Sequence, residues 1–298
     1  MNKVMRLEIS AVFCLVALFS FAALTEAKVI HNPDSNTLWI EDGIKVETGI
    51  GQNLNHWESS NTTCEVTEAQ GGGIIFNAMG SLGTARYATG RYFALDPAYP
   101  YLVWEITNFK NEDTSRSFSA AASPGLLGIG ISSYIPKGIF VYNPFLENNP
   151  GKAVYNFRID VPNCEVTFKY LKMVKVPESY LEVTSPAFSE KKRLELGDTV
   201  TFKVILAKPA EDVSLTFYQA YEMAQLKLND AQILQLKPLE GDPKVWQATI
   251  KIDSCEGGWF PDKPFAPGRL LIKTTILGGG IPVPLWTPNT YEFRLIKK

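Results

Sequence analysis

Apolar and polar side chains alternate with a period of two along most of the chain from residue 38 onward. This is the strongest constraint on its fold. Leu102, Trp104 and Ile106 alternate with Val103, Glu105 and Thr107. The pattern recurs at Ala153, Tyr155, Phe157 and Ile159, at Val200, Phe202, Val204 and Leu206, at Trp246, Ala248, Ile250 and Ile252, and at Tyr291, Phe293 and Leu295. A strand sends successive side chains to opposite faces, so this alternation buries one face and wets the other, as an antiparallel sheet requires. Turn-forming clusters separate the runs: Asp96-Pro97, Asn149-Pro150-Gly151, Val161-Pro162-Asn163, Glu240-Gly241-Asp242-Pro243 and Gly278-Gly279-Gly280. The expected fold class is all-β.

Two stretches depart from a simple reading. In 221–236, Met223, Leu226 and Ile233 fit one face of a helix, but Asn229-Asp230 is a turn signal, and we read the stretch as strands joined there. In 165–175, Val166, Phe168 and Tyr170 fall on one face and Leu171 and Met173 on the other. A β-bulge near Tyr170 accounts for the switch, and burial of both faces accounts for it equally well.

The first segment reads as an address. Lys3 and Arg6 precede an apolar run over 10–24, and Thr25-Glu26-Ala27 places small residues three and one positions before Lys28. The run is about 15 residues, short of the roughly 20 that a spanning helix needs. Cys14 follows Phe13, which is not a lipoprotein site. The expectation is a Sec-type signal peptide over 1–27, cleaved to leave a secreted (periplasmic or extracellular) chain with no membrane span. Of the 298 residues, 29 are Lys or Arg and 31 are Asp or Glu, a formal charge of −2 that gives no grip on a nucleic acid. Two histidines, His31 and His56, leave little room for a His-rich zinc site or a His-based triad; His56 beside Trp57 is read as a hydrogen-bonded rim residue.

Export permits disulfides. Cys64, Cys164 and Cys255 remain after cleavage, an odd number. Cys64 and Cys164 lie in strand-like sequence of one half and form the candidate disulfide, which leaves open whether Cys255 is free; three separately buried thiols are the alternative. A boundary falls at Val176-Pro177-Glu178-Ser179-Tyr180, dividing the chain into 28–176 and 180–298. Halves of about 149 and 119 residues each suit one core.

The second half contains Leu196-Gly197-Asp198-Thr199-Val200-Thr201-Phe202, Trp246-Gln247-Ala248-Thr249-Ile250, Gly268-Arg269-Leu270-Leu271-Ile272 and Tyr291-Glu292-Phe293-Arg294. This series of short strands resembles the immunoglobulin-like modules appended to secreted bacterial proteins, without the Cys–Trp–Cys core of antibody domains. The first half runs from Trp57 through Gly71-Gly72-Gly73-Ile74-Ile75-Phe76-Asn77, Leu95-Asp96-Pro97 and Tyr101-Leu102-Val103-Trp104-Glu105-Ile106 to Val166-Thr167-Phe168-Lys169-Tyr170-Leu171-Lys172-Met173. It is similar to the galactose-binding-like jelly roll of carbohydrate-binding modules. Together the resemblances imply two antiparallel β-sandwich domains, a jelly roll and an Ig-like one. They also imply a glycan ligand and, in many members, a structural calcium ion. Glu41, Asp42 and Asp160 are the nearest ligand candidates and are not expected to act together; no cofactor is expected.

A sugar site needs flat apolar area for ring C–H faces and planar donors for hydroxyls. Arg86, Tyr87, Arg91 and Tyr92 supply both within seven residues, and Trp57 is a further candidate. The plainer alternative is a strand pair whose tyrosines cover a core rim. Trp104, within the alternating set, is expected in the core. Trp259, in Gly257-Gly258-Trp259-Phe260-Pro261, is either a contact residue or a loop side chain folded back.

Enzyme signals are thin. Gly80-Ser81-Leu82-Gly83 lacks the spacing of a nucleophile elbow, and Gly128-Ile129-Gly130-Ile131-Ser132-Ser133 fails a dinucleotide-binding pattern. Glu190-Lys191-Lys192-Arg193 reads as a solvated turn. The expected function is a secreted, non-catalytic module binding a polysaccharide or glycoprotein glycan, with the second half as spacer. The alternative is a structural or adhesive surface protein that binds another protein through its sheets.

Overall fold

The computed structural model describes residues 30–42, 57–59, 65–70, 73–77, 82–87, 93–111, 119–123, 137–146, 153–154, 156–162, 164–185, 193–219, 224–257, 268–281 and 283–294. Residues 1–29, with the expected signal peptide, lie outside them, as do His56, Cys64, Arg91, Tyr92 and Trp259.

Those residues form strands almost throughout, as the alternation requires. The first half supplies β1 (Ile30–His31), β2 (Thr37–Asp42), β3 (Trp57–Ser59), β4 (Glu65–Glu68), β5 (Ile74–Asn77), β6 (Leu82–Tyr87), β7 (Phe93–Ala94), β8 (Tyr101–Asn111), β9 (Ser119–Ser123), β10 (Gly138–Tyr142), β11 (Ala153–Val154), β12 (Asn156–Pro162) and β13 (Cys164–Val174). The second supplies β14 (Tyr180–Thr184), β15 (Arg193–Glu195), β16 (Thr199–Ile205), β17 (Ala210–Gln219), β18 (Ala224–Leu228), β19 (Leu234–Gln235), β20 (Lys237–Leu239), β21 (Asp242–Lys251), β22 (Cys255–Gly257), β23 (Gly268–Gly278) and β24 (Leu285–Arg294). A single 3-10 turn, Pro144–Leu146, is the one helical element among the described residues.

One sheet runs through both halves. Its order is β1-β2-β13-β8-β10-β24-β23-β17-β18-β22, and the crossing point is a parallel ladder between β10 and β24. Most pairs are antiparallel as expected; β10–β24 and β15–β24 are parallel. Smaller sheets of order β3-β6-β12-β9 and β14-β16-β21-β20 accompany it. In β16 the alternation is met residue by residue: Val200, Phe202 and Val204 are fully buried between partly exposed neighbours. Phe202 of the small sheet meets Phe217 of the large sheet edge-on, 5.3 Å between ring centres, so these two sheets share a core.

The irregular stretches resolve physically. The β13–β8 register shifts between Phe168 and Tyr170, so a bulge at Lys169 puts Phe168 on the face of Leu171 and Met173 and leaves Tyr170 on the other. Asn229 and Asp230 both take positive φ, 50° and 65°, and Leu228 and Ala231 exchange two backbone hydrogen bonds of 3.0 Å across them. That is a two-residue hairpin turn, not a helix. The Asn229 side chain then binds the next segment, donating to the Lys251 carbonyl at 2.6 Å and accepting from the amides of Asp253 and Ser254.

At the crossing point one register row runs Leu171, Trp104, Phe140, Trp286, Lys273 over five strands. Trp104 stacks on Phe140 (5.1 Å, 3°) and Phe140 on Trp286 (6.1 Å, 10°), with all three rings sealed from solvent. Trp104 thus occupies the core, as the alternation predicts. The opposite face is buried too: Val103, Val141, Val174 and Leu285 form their own cluster. A strand in the middle of a sheet covered on both sides has no wet face, which is why Val103 is as dry as Leu102.

Gly138 makes this approach feasible. A Cβ there collides with the indole of Trp286 and the carbonyl of Pro284, which accepts the Ile139 amide at 3.0 Å. Gly138→Ala is therefore expected to destabilise the protein by about 1–3 kcal/mol, the usual cost of overpacking. The check is a lower urea midpoint with an unchanged denaturant slope. A midpoint equal to that of the unsubstituted protein counts against the tight packing of β10 on β24.

Candidate functional site

The β3-β6-β12-β9 sheet carries three of the residues expected in a sugar site. The register pairs Trp57 with Tyr87 and Glu58 with Arg86, and Arg86 with Arg158. Strand alternation then divides the sheet. Trp57, Ala85, Tyr87, Ile159 and Val161 hold positions of one face; Glu58, Thr84, Arg86, Arg158 and Asp160 hold positions of the other. Trp57 and Tyr87 are brought together, and Arg86 is separated from them because adjacent residues of a strand cannot share a face. Trp57 opens β3 and Tyr87 closes β6, so the pair sits at the end of the sheet from which the segment carrying Arg91 and Tyr92 departs.

The calcium candidates are apart. Glu41 and Asp42 pair with Leu171 and Tyr170 in the large sheet, whereas Asp160 pairs with Thr84 in the small one. Among the described residues no three His, Cys, Asp or Glu side chains are grouped as a metal site. Cys164 is the first residue of β13, opposite Asn111, and its expected partner Cys64 lies outside the described residues. Cys255 is a free thiol, mostly buried, and burial with Glu256 nearby pushes it up to about 12.

A second feature lies at the junction of the halves. A cleft of about 290 Å³ opens between the face carrying Val103, Val141, Val174 and Leu285 and four connecting segments. These are the β1–β2 loop (Asp34, Asn36), the 175–179 connection, and the loops contributing Lys208 and Gly279-Gly280. Sequence reasoning read Gly278-Gly279-Gly280 as a turn and 176–180 as a boundary, and assigned none of these residues to a site. The available signal was local: Asp34-Ser35-Asn36-Thr37 is an Asx-turn sequence. Asp34 indeed accepts from the amides of Asn36 and Thr37 at 2.7 Å each and from the Thr37 hydroxyl at 3.1 Å. These bonds, the Asn36 amide foremost, hold its carboxyl below the usual range.

Hydrogen bonds fix the connection at both ends. The Asn36 side chain donates to the Val176 carbonyl at 2.9 Å and accepts from the Val176 amide at 3.0 Å, while the Lys175 amide donates to the Asn36 carbonyl at 2.8 Å. Ser179, itself buried, accepts the Ala207 amide at 3.0 Å. The segment between β13 and β14 is therefore a clamped wall of the cleft. On the floor, Lys172 sits 4.9 Å from the Tyr170 ring centre. Burial, then Glu105, raises the Tyr170 phenol strongly. Beside the cleft, Tyr101 packs on Tyr180 at 5.5 Å, and burial, followed by Tyr180 and Glu182, pushes Tyr101 up to about 12.

Two outcomes follow from this geometry. Asn36→Ala removes two side-chain hydrogen bonds at an exposed position. It is expected to cost about 1 kcal/mol and to speed hydrogen exchange at the amides of Lys175 and Val176. The second outcome concerns alkali. The folded Tyr101 phenol lies above its ordinary value of 10, so its contribution is complete below pH 10 and is lost as pH rises through about 12. Thermal midpoints are expected to fall across that window, and Tyr101→Phe to flatten the fall; an equal fall in the variant assigns it to other groups.

No family model matches the chain, and neither does any curated protein. Among solved structures it is similar to a DUF4785-family protein from Legionella pneumophila subsp. pneumophila str. Philadelphia 1, at 11% identity and a TM-score of 0.25, over 90% of this chain and 63% of that one. The chain thus spans less than two thirds of the length of that protein.

Proposed function

We propose that this is a secreted, non-catalytic recognition protein whose first half is a jelly-roll module that binds a glycan and whose second half is an Ig-like spacer. One observation carries the reading: Trp57 and Tyr87, far apart in sequence, are register partners at one end of a sheet. Ligand sites of jelly-roll modules commonly use such an end and the loops that leave it. Two aromatic residues on neighbouring strands span the width of a pyranose ring and supply the flat area that C–H faces need. Arg91 and Tyr92, in the segment after β6, add the donors for hydroxyls. Arg86 holds a position of the opposite face, across from Glu58. In this reading the spacer is mounted stiffly, because the β10–β24 ladder joins it to the binding half.

The rival reading is a structural or adhesive protein that meets a protein partner through its sheets. It draws on Leu277, a large apolar side chain 60% exposed at the end of β23.

Affinity gels with soluble polysaccharides separate the two. Trp57→Ala and Tyr87→Ala are expected to weaken retention about tenfold, with circular dichroism unchanged, since aromatic stacking contributes about 0.5–1.5 kcal/mol beyond the area it buries. Retention unaffected by both substitutions removes the site. Capture of one protein partner that depends on Leu277, with no retention on any glycan, favours the rival.

A further inference from the structure

We draw no further inference here: the strongest candidate, the outward face of the β14-β16-β21-β20 sheet, where Tyr180, packed on Tyr101, shares a face with the register row of Glu182, Lys203 and Gln247, is a partly exposed polar sheet face, and nothing in the structure shows what covers it.

Discussion

Two strands from opposite halves of the chain, β10 and β24, hydrogen-bond in parallel and lock a stack of three aromatic rings between them and β8. Much of the remaining architecture depends on this contact. It turns two sets of antiparallel strands into one sheet, and it brings Leu285 beside Val103 and Val141, completing the floor of the cleft. It also explains a small residue in a strand: at Gly138 the neighbouring indole occupies the space of a side chain.

Magnitudes show which interactions hold the halves together. Burial of large side chains such as Trp104, Phe140 and Trp286 contributes on the order of 1.5–3 kcal/mol each, with stacking adding a fraction of that. The ion pairs Lys110–Glu165, Lys203–Glu182 and Lys251–Asp253 are at least partly in water, where such pairs contribute about 0–1 kcal/mol. The aromatic row therefore outweighs the surface charges, and the hydrogen bonds of Asn36 and Ser179 set the shape of the connection more than its stability.

The alternation along β16, the turn at Asn229-Asp230 and the bulge at Lys169 are readable in the sequence because each is local: a period, a turn dipeptide, a phase change. Strand partners are a different matter. A period of two tells which residues share a face and is silent about which strand lies beside it. The boundary drawn at 176–180 falls in the connection between β13 and β14, and nothing near it reveals that the sheet continues from β10 into β24. The same limit applies to the sites. The proximity of Arg86 and Tyr87 in sequence suggested one platform, while the backbone places them on opposite faces and supplies Trp57 as the partner of Tyr87 instead. The cleft combines side chains from both halves, such as Lys172 and Lys208, whose neighbourhood only the assembled sheet creates.

The order of synthesis gives the junction a further meaning. Phe140 and Trp286 are roughly 150 positions apart, a long loop to close and a feature of slow-folding topologies. While the chain is being made, β10 must wait with one margin unpaired until the residues of β24 emerge. An open strand margin invites pairing with other chains. A chain cut short before β24 thus loses more than one strand: it leaves the middle of its largest described sheet as a sticky border.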